Sequence, residues 1–446
     1  MVGLKGEKRR KTGFKYSKQD IPQYMERFSY IDKTKKASKT LYFSIIFGWL
    51  PLLFMIFSMV NVVGHGNVIE KFFAGRDFGT FWVAGRMAWH SIADSIATGA
   101  IFTPSFFSAE LKHHFDFLHG VRLWSYPPTG LFLVMPFSIL NIYFSWIIFS
   151  LSGLAIFLAT MKKTGFWWIG LFAVPAIWDN ILAGQNGLFT SSLAILGFYY
   201  AMKRDCKSGL CFGAMTFKPQ LGLIVPGFLI ANRSWKIIFV AGVSAIILAA
   251  LSALMWPGSW HEWFARVVPV QSQLMDKPIK PTAIQAYTAS PFIFFRWFEI
   301  SVKQSFAIQM AISAFAFVLA MFVGYYSKLF DQKIDKYKMI VLLLCLEAIA
   351  APYILDYDLA ALSCLTAVGL WQGWIGNGIY GGLEKVFGYT LLWLPGWNLV
   401  LGIGLKIPSV VWLDIFCLAT ALMADLYLKV KVATCVGETE KEPSKC

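Results

Sequence analysis

Charge is scarce in this chain: Asp, Glu, Lys and Arg make up only 15% of its 446 residues while hydrophobic residues make up 57%, whereas an ordinary soluble domain carries about a quarter charged residues. With a mean hydropathy of +0.58, that deficit excludes a water-soluble globular domain. Paired cysteine is missing too. The seven cysteines (Cys206, Cys211, Cys345, Cys364, Cys417, Cys435 and Cys446) form no C-x-x-C pair, and all fall in expected spans or cytoplasmic stretches, so neither a disulfide framework nor a zinc site is indicated. There is no Walker loop, no G-x-G-x-x-G opening a βαβ unit, no H-E-x-x-H helix and no polar segment large enough for a nucleotide-binding domain. The formal charge of +15 is not a nucleic-acid signature, because the basic residues sit in the amino-terminal tail and in short connections between apolar runs, as the positive-inside rule distributes them.

What is present is a polytopic, all-helical membrane protein. Residues 1–40 (Lys8-Arg9-Arg10-Lys11, Lys33, Lys35-Lys36, Lys39) lack an apolar run with a cleavage site and read as a basic cytoplasmic tail, able to lie on anionic lipid. A span over 40–63 is long enough to cross about 30 Å of hydrocarbon, which places the loop 64–127 outside. Further apolar runs at 129–161, 166–182 and 187–202 are divided by Lys162-Lys163 and Lys203-Arg204. The first is too long for one crossing, and a break is expected near Asn141. Residues 208–231 are too short for two crossings and carry Lys218-Pro219-Gln220 in the middle, which reads as two broken half-helices meeting near the outer face. Spans follow at 236–256, 304–326, 338–354, 358–374, 386–404 and 408–428, with an outer loop at 257–303 and a cytoplasmic tail at 429–446. The total is about twelve segments, with 41–428 as one transmembrane domain.

This topology carries four polar motifs to one face: Arg76-Asp77, Gly184-Gln185-Asn186-Gly187, Lys218-Pro219-Gln220 and Asp356-Tyr357-Asp358. Polar groups converging beside apolar spans suit a substrate with a polar head and a lipid tail. Each has an ordinary alternative: Asp77 as a helix cap, Asn186-Gly187 as a turn, Lys218 as a snorkelling side chain, Asp356 and Asp358 as interfacial neighbours of Tyr353 and Tyr357. Lys218 is the most informative. An ammonium among Ala214, Met215, Phe217, Leu221 and Ile224 costs on the order of 3 kcal/mol at mid-membrane unless it finds an anion, and a lipid phosphate is one. His113, His114, Asp116 and His119 lie close in sequence but have no metal-site spacing, so no metal and no cofactor are expected.

The ordered set Arg76-Asp77-Phe78, Phe81-Trp82, Ala84-Gly85-Arg86, Tyr126-Pro127-Pro128, Gly184-Gln185-Asn186-Gly187, Phe217-Lys218-Pro219-Gln220-Leu221-Gly222 and Pro352-Tyr353 with Asp356-Tyr357-Asp358 resembles glycosyltransferase family 87. The resemblance spans about residues 70–360 and is similar to the mycobacterial mannosyltransferases that extend phosphatidylinositol mannosides. It implies a GT-C fold in the bacterial inner membrane, its site facing the periplasm. The implied reaction is inverting transfer of a sugar, mannose first, from a polyprenyl-phosphate donor to a lipid- or glycan-linked acceptor in cell-envelope glycolipid synthesis. The chemistry agrees with the residues. Inverting transfer needs a general base for the acceptor hydroxyl, a role for Asp77. A departing phosphate needs positive charge, for which Lys218 comes first and Arg76, Arg86 and Arg122 are reserves. Gln185, Asn186, Gln220, Tyr126, Asp356 and Asp358 are candidate substrate contacts. Two other classes share features with this reading. A lipid-linked sugar flippase would also use broken helices, though no inverted repeat is visible, and a membrane oligosaccharide polymerase or ligase would act on similar lipid-linked sugars.

Overall fold

The computed structural model describes residues 39–62, 77–93, 100–115, 122–165, 171, 174–276, 288–327, 333–401 and 405–439. Arg76, Asp116, His119 and tail residues 1–38 lie outside this set. The described residues are helical, with one isolated bridge, Thr288 to Leu355. The principal helices are α1 (Lys39–Val62), α2 (Asp77–Ala93), α3 (Pro104–His114), α4 (Ile142–Thr164), α5 (Pro175–Ala183), α6 (Gly187–Met202), α7 (Lys207–Ala214), α8 (Val225–Ala231), α9 (Trp235–Met255), α10 (Val268–Asp276), α11 (Pro291–Trp297), α12 (Val302–Tyr326), α13 (Lys333–Ala350), α14 (Ala360–Gln372), α15 (Gly381–Leu399) and α16 (Val411–Thr439).

Among the described residues four helices are long and apolar enough to cross a membrane: Ile142–Thr164, Trp235–Met255, Val302–Tyr326 and Val411–Lys431. Their outward faces are greasy. Trp235, Phe239, Ile246 and Leu254 on α9 and Phe306, Phe315 and Val318 on α12 are exposed, a surface that would be a liability in water and is suited to hydrocarbon. By contrast, α6, α13 and α14 are buried almost all round, as expected of helices at the centre of a bundle. The run expected at 129–161 is broken: tight turns cover 128–137 and α4 starts at Ile142, with the Asn141 side chain accepting the Phe144 N–H at 3.2 Å. The boundary expected at 428 falls inside α16, which continues to Thr439. The basic residues there continue the helix, Lys429 lying 3.7 Å from Asp425 one turn back.

Helix direction gives the bundle two unlike ends. Lys162 and Lys163 end α4, Lys203 and Arg204 follow α6, Lys207 opens α7, and Arg233 and Lys236 flank the start of α9, all exposed at one end. From there α6 leads back over 16 residues, about 24 Å, to Asn186 at the other end. α7 and α8 form a re-entrant pair, rising from the basic end to a bend at Lys218 and returning to Arg233. A second, aromatic-rich core lies at the far end, where Phe78, Phe81, Trp82, Ala84 and Ala88 on one face of α2 pack with Phe107, Trp124, Phe149 and Trp256. If the basic end faces the cytoplasm, as the positive-inside rule expects, a single cysteine replacing exposed His261 should react with an impermeant thiol reagent in intact cells, and one replacing Lys203 should be protected. The reverse pattern would invert the protein.

Candidate active site

Four segments far apart in sequence meet at the end opposite the basic one. α5 ends at Gly184 in a left-handed turn, φ +63°, its N–H returning to the Ile181 carbonyl. A Cβ at Gly184 would lie 2.5 Å from the Cβ of Phe78, so glycine lets α2 approach closely and the turn presents the next residue to α2. That residue is Gln185. Its side-chain amide donates to Asp77 Oδ2 at 2.5 Å, fixing one edge of an exposed carboxylate in the first turn of α2, where the helix dipole favours negative charge. Gly184→Ala is therefore expected to cost about 1–2 kcal/mol in backbone conformation and to part Gln185 from Asp77. Gly258, at φ +79° but with nothing near its missing Cβ, is the control. Thermal melting and transfer rate of both alanine variants test this, with a transfer defect expected only at Gly184.

The bend between α7 and α8 supplies the cation. Lys218 interrupts the helical path (φ −140°, ψ 64°), as expected of a residue ahead of proline, and its side chain is buried, 4% exposed. Its Nζ pairs with Asp358 Oδ1 and donates to Asn186 Oδ1 at 3.2 Å, with the Tyr357 ring centre 5.2 Å away and that of Tyr126 6.0 Å away. The anion required by a buried ammonium is thus supplied by the protein. Asp358 also accepts the Leu355 N–H through Oδ2 at 3.3 Å. Asn180 of α5 donates to the Tyr357 carbonyl at 2.8 Å, and Ser191 of α6 accepts the Ala361 N–H at 3.0 Å, so the α13–α14 connection is pinned where it faces Lys218.

Tyr126 shares a hydrogen bond with Asn186, and the carboxylates of Asp77 and Asp358 both act on Tyr126, Tyr353 and Tyr357. Burial first, and then Asp358, holds the Tyr126 phenol well above the usual tyrosine range, while the Asn186 bond acts the other way. The arrangement is one exposed carboxylate, one buried ion pair, and three tyrosines close enough to feel both. Gln185 Oε1, Thr129 Oγ1 and Thr216 Oγ1 are buried without a hydrogen-bond partner among the described residues.

Other expected contacts make their bonds outside this cluster. Asp356, two residues from Asp358, points to the other side of the connection, where it accepts from Asn398 Nδ2 at 3.2 Å on both oxygens. Burial and then Asp179 raise its carboxyl well above the usual range, opposed by Asn398. Arg86 stacks on Trp82 at 4.9 Å and stands nine residues along α2 from Asp77, about 13 Å away. Arg122 is anchored through its backbone to Ser108, at 2.6 and 2.9 Å, with no bond into the cluster. Gln220 is half-buried in the bend and makes no hydrogen bond among the described residues, and Arg76 lies outside them. His113 and His114 meet edge to face at the end of α3, and among the described residues no three His, Cys, Asp or Glu side chains gather as a metal site. Tyr353, Tyr357 and Asn180 belong to the cluster or its support. Tyrosines beside an Asp-Tyr-Asp motif and a buried Asn were the only signals of them in the sequence.

The helical bundle with such a polar cluster at one end defines a membrane protein with a candidate catalytic site. Residues 124–352, just over half of the chain, match the model of glycosyltransferase family 87, and the chain belongs to that family; it is a glycosyltransferase. No curated protein and no solved structure matches it. The matched segment contains Tyr126, Gln185, Asn186 and Lys218, while Asp77 and Asp358 lie on either side of it and join them through the contacts above.

Proposed function

We propose that this glycosyltransferase moves a sugar, mannose first, from a polyprenyl-phosphate donor to a hydroxyl on a lipid- or glycan-linked acceptor, with inversion, at the outer face of the bacterial cytoplasmic membrane. The observation that carries the reading is the exposed Asp77 carboxylate, held by Gln185, while the next residue, Asn186, holds the buried Lys218 cation. Asp77 takes the acceptor proton, the acceptor oxygen forms its bond to the anomeric carbon, and the bond from that carbon to the phosphate oxygen breaks, the electron pair leaving with the phosphate. Gln185 Oε1, a buried acceptor without a partner among the described residues, is left to receive a hydroxyl donor beside Asp77.

Lys218 has three N–H groups and uses two of them, on Asp358 and Asn186, which leaves one for the leaving phosphate. The lipid tail has apolar helix faces beside the site to lie against. Purified protein given a panel of polyprenyl-phosphate sugars is expected to release one sugar onto an added lipid acceptor. Turnover of nucleotide sugars alone, or of pyrophosphate-linked oligosaccharides alone, would overturn the donor class.

A further inference from the structure

The bend that carries Lys218 is held from below by a residue that no motif marks. Glu347 lies in the last turn of α13, 5% exposed, within an otherwise apolar run from Met339 to Ala351. Its Oε1 accepts the Leu223 N–H at 2.9 Å, and the neighbouring Ile224 N–H faces the same carboxyl group. Those two N–H groups are at the point where the bend ends and α8 begins.

The physical need for such a partner follows from the sequence of the bend. Pro219 carries no N–H, the turn Pro219–Gly222 is distorted at Leu221 (φ −91°, ψ 19°), and a helix restarting in an apolar setting exposes donors that no earlier turn can accept. Water is the usual remedy and is costly to bring here. Glu347 supplies the acceptor instead. The choice of a carboxyl group stands out because a polar group is buried here in an apolar run, and its Oε2 has no hydrogen-bond partner among the described residues. A residue kept against both costs is accounted for by what its other oxygen holds.

We propose that Glu347 is a positioning residue: by gripping Leu223 and Ile224 it sets the Lys218–Gly222 bend, and so keeps the Lys218 ammonium facing Asn186 and Asp358. That Lys218 then serves the donor rests on the function proposed above; that Glu347 sets the bend does not.

The test separates the two. In a cysteine-free protein carrying Gln220→Cys as a reporter in the bend, the rate of maleimide labelling in detergent is measured with Glu347 intact and with Glu347→Gln, Glu347→Asp and Glu347→Leu. Glu347→Leu removes the acceptor and is expected to speed labelling about tenfold, the factor implied by leaving a buried N–H without its partner. Glu347→Gln keeps an acceptor oxygen at the same reach and is expected to stay within about threefold of the parent. Glu347→Asp, one methylene short, should fall between them and decides the question if the leucine variant does not fold. Labelling unchanged in both Glu347→Asp and folded Glu347→Leu would overturn the proposal. In parallel, with Gln220 restored, Glu347→Leu or Glu347→Asp is expected to raise the donor KM more than it lowers kcat, with rescue in Glu347→Gln. Faster labelling with an unchanged donor KM would uphold Glu347 as the anchor of the bend and remove Lys218 from donor binding.

Discussion

Asp77→Asn is expected to insert, fold and melt like the parent protein while losing about 10² to 10⁴ in transfer rate, the usual effect of deleting a general base. Stability should be spared because the carboxylate is exposed and its one bond among the described residues, from Gln185 Nε2, can be kept by an asparagine oxygen. Proton abstraction cannot be kept. An amide has no lone pair basic enough to take a hydroxyl proton at neutral pH, and both carboxylates of the Asp-Tyr-Asp connection are already engaged, Asp358 by Lys218 and Asp356 by Asn398. Asp77→Ala should behave alike in rate and also leave Gln185 without its acceptor. Single-turnover transfer from a polyprenyl-phosphate sugar, on protein of matched melting temperature, reads the result. Near-parental transfer by Asp77→Asn would remove Asp77 from the chemistry.

The second large effect is expected at the buried ion pair. Were Lys218 a snorkelling side chain, Lys218→Met would be neutral or stabilising, since it would exchange a costly ammonium for an apolar chain. The pairing with Asp358 reverses that expectation: removing the lysine strands a buried carboxylate, and breaking such a pair costs about 3–5 kcal/mol. Adding Asp358→Asn to Lys218→Met is expected to restore part of the lost stability, because the stranded charge is gone, and to restore no transfer, because the cation is still missing. Lys218→Arg keeps the charge with a planar, longer head and should retain part of both. The cycle is read by thermal unfolding in detergent and by binding of a non-transferable polyprenyl-phosphate sugar analogue. A stable Lys218→Met protein would contradict the ion pair, and parental analogue affinity in that variant would contradict its role toward the phosphate.

Much of the architecture was legible one residue at a time. A chain this apolar must satisfy its backbone internally, so helices followed from composition. The break at Lys218-Pro219 and the start of a helix after Asn141 were readable because a proline and an Asn cap act on their immediate neighbours. The motifs Gln185-Asn186 and Asp356-Tyr357-Asp358 stood out as polar residues in an apolar setting. Their partners did not. Asp356 and Asp358 look equivalent in a sequence, yet in a tight 3₁₀ turn residues two apart point in different directions, so one meets Asn398 and the other Lys218. Arg86 looked as useful as any other arginine near Asp77 until the pitch of α2 set it two and a half turns away.

By itself, then, the amino-acid sequence determined a helical membrane protein with polar motifs between its spans, a basic set of connections and a bend at Pro219, because hydropathy, capping and proline geometry are local properties. Only the tertiary structure decided which polar groups became partners: Asp77 with Gln185, 108 residues on, Lys218 with Asp358, 140 residues on, and Leu223 with Glu347, 124 residues on. The reason is physical. A buried charge or N–H must find its complement somewhere, but which complement lies within reach is set by how helices pack across the whole bundle, and no stretch of sequence around Lys218 or Leu223 contains that information.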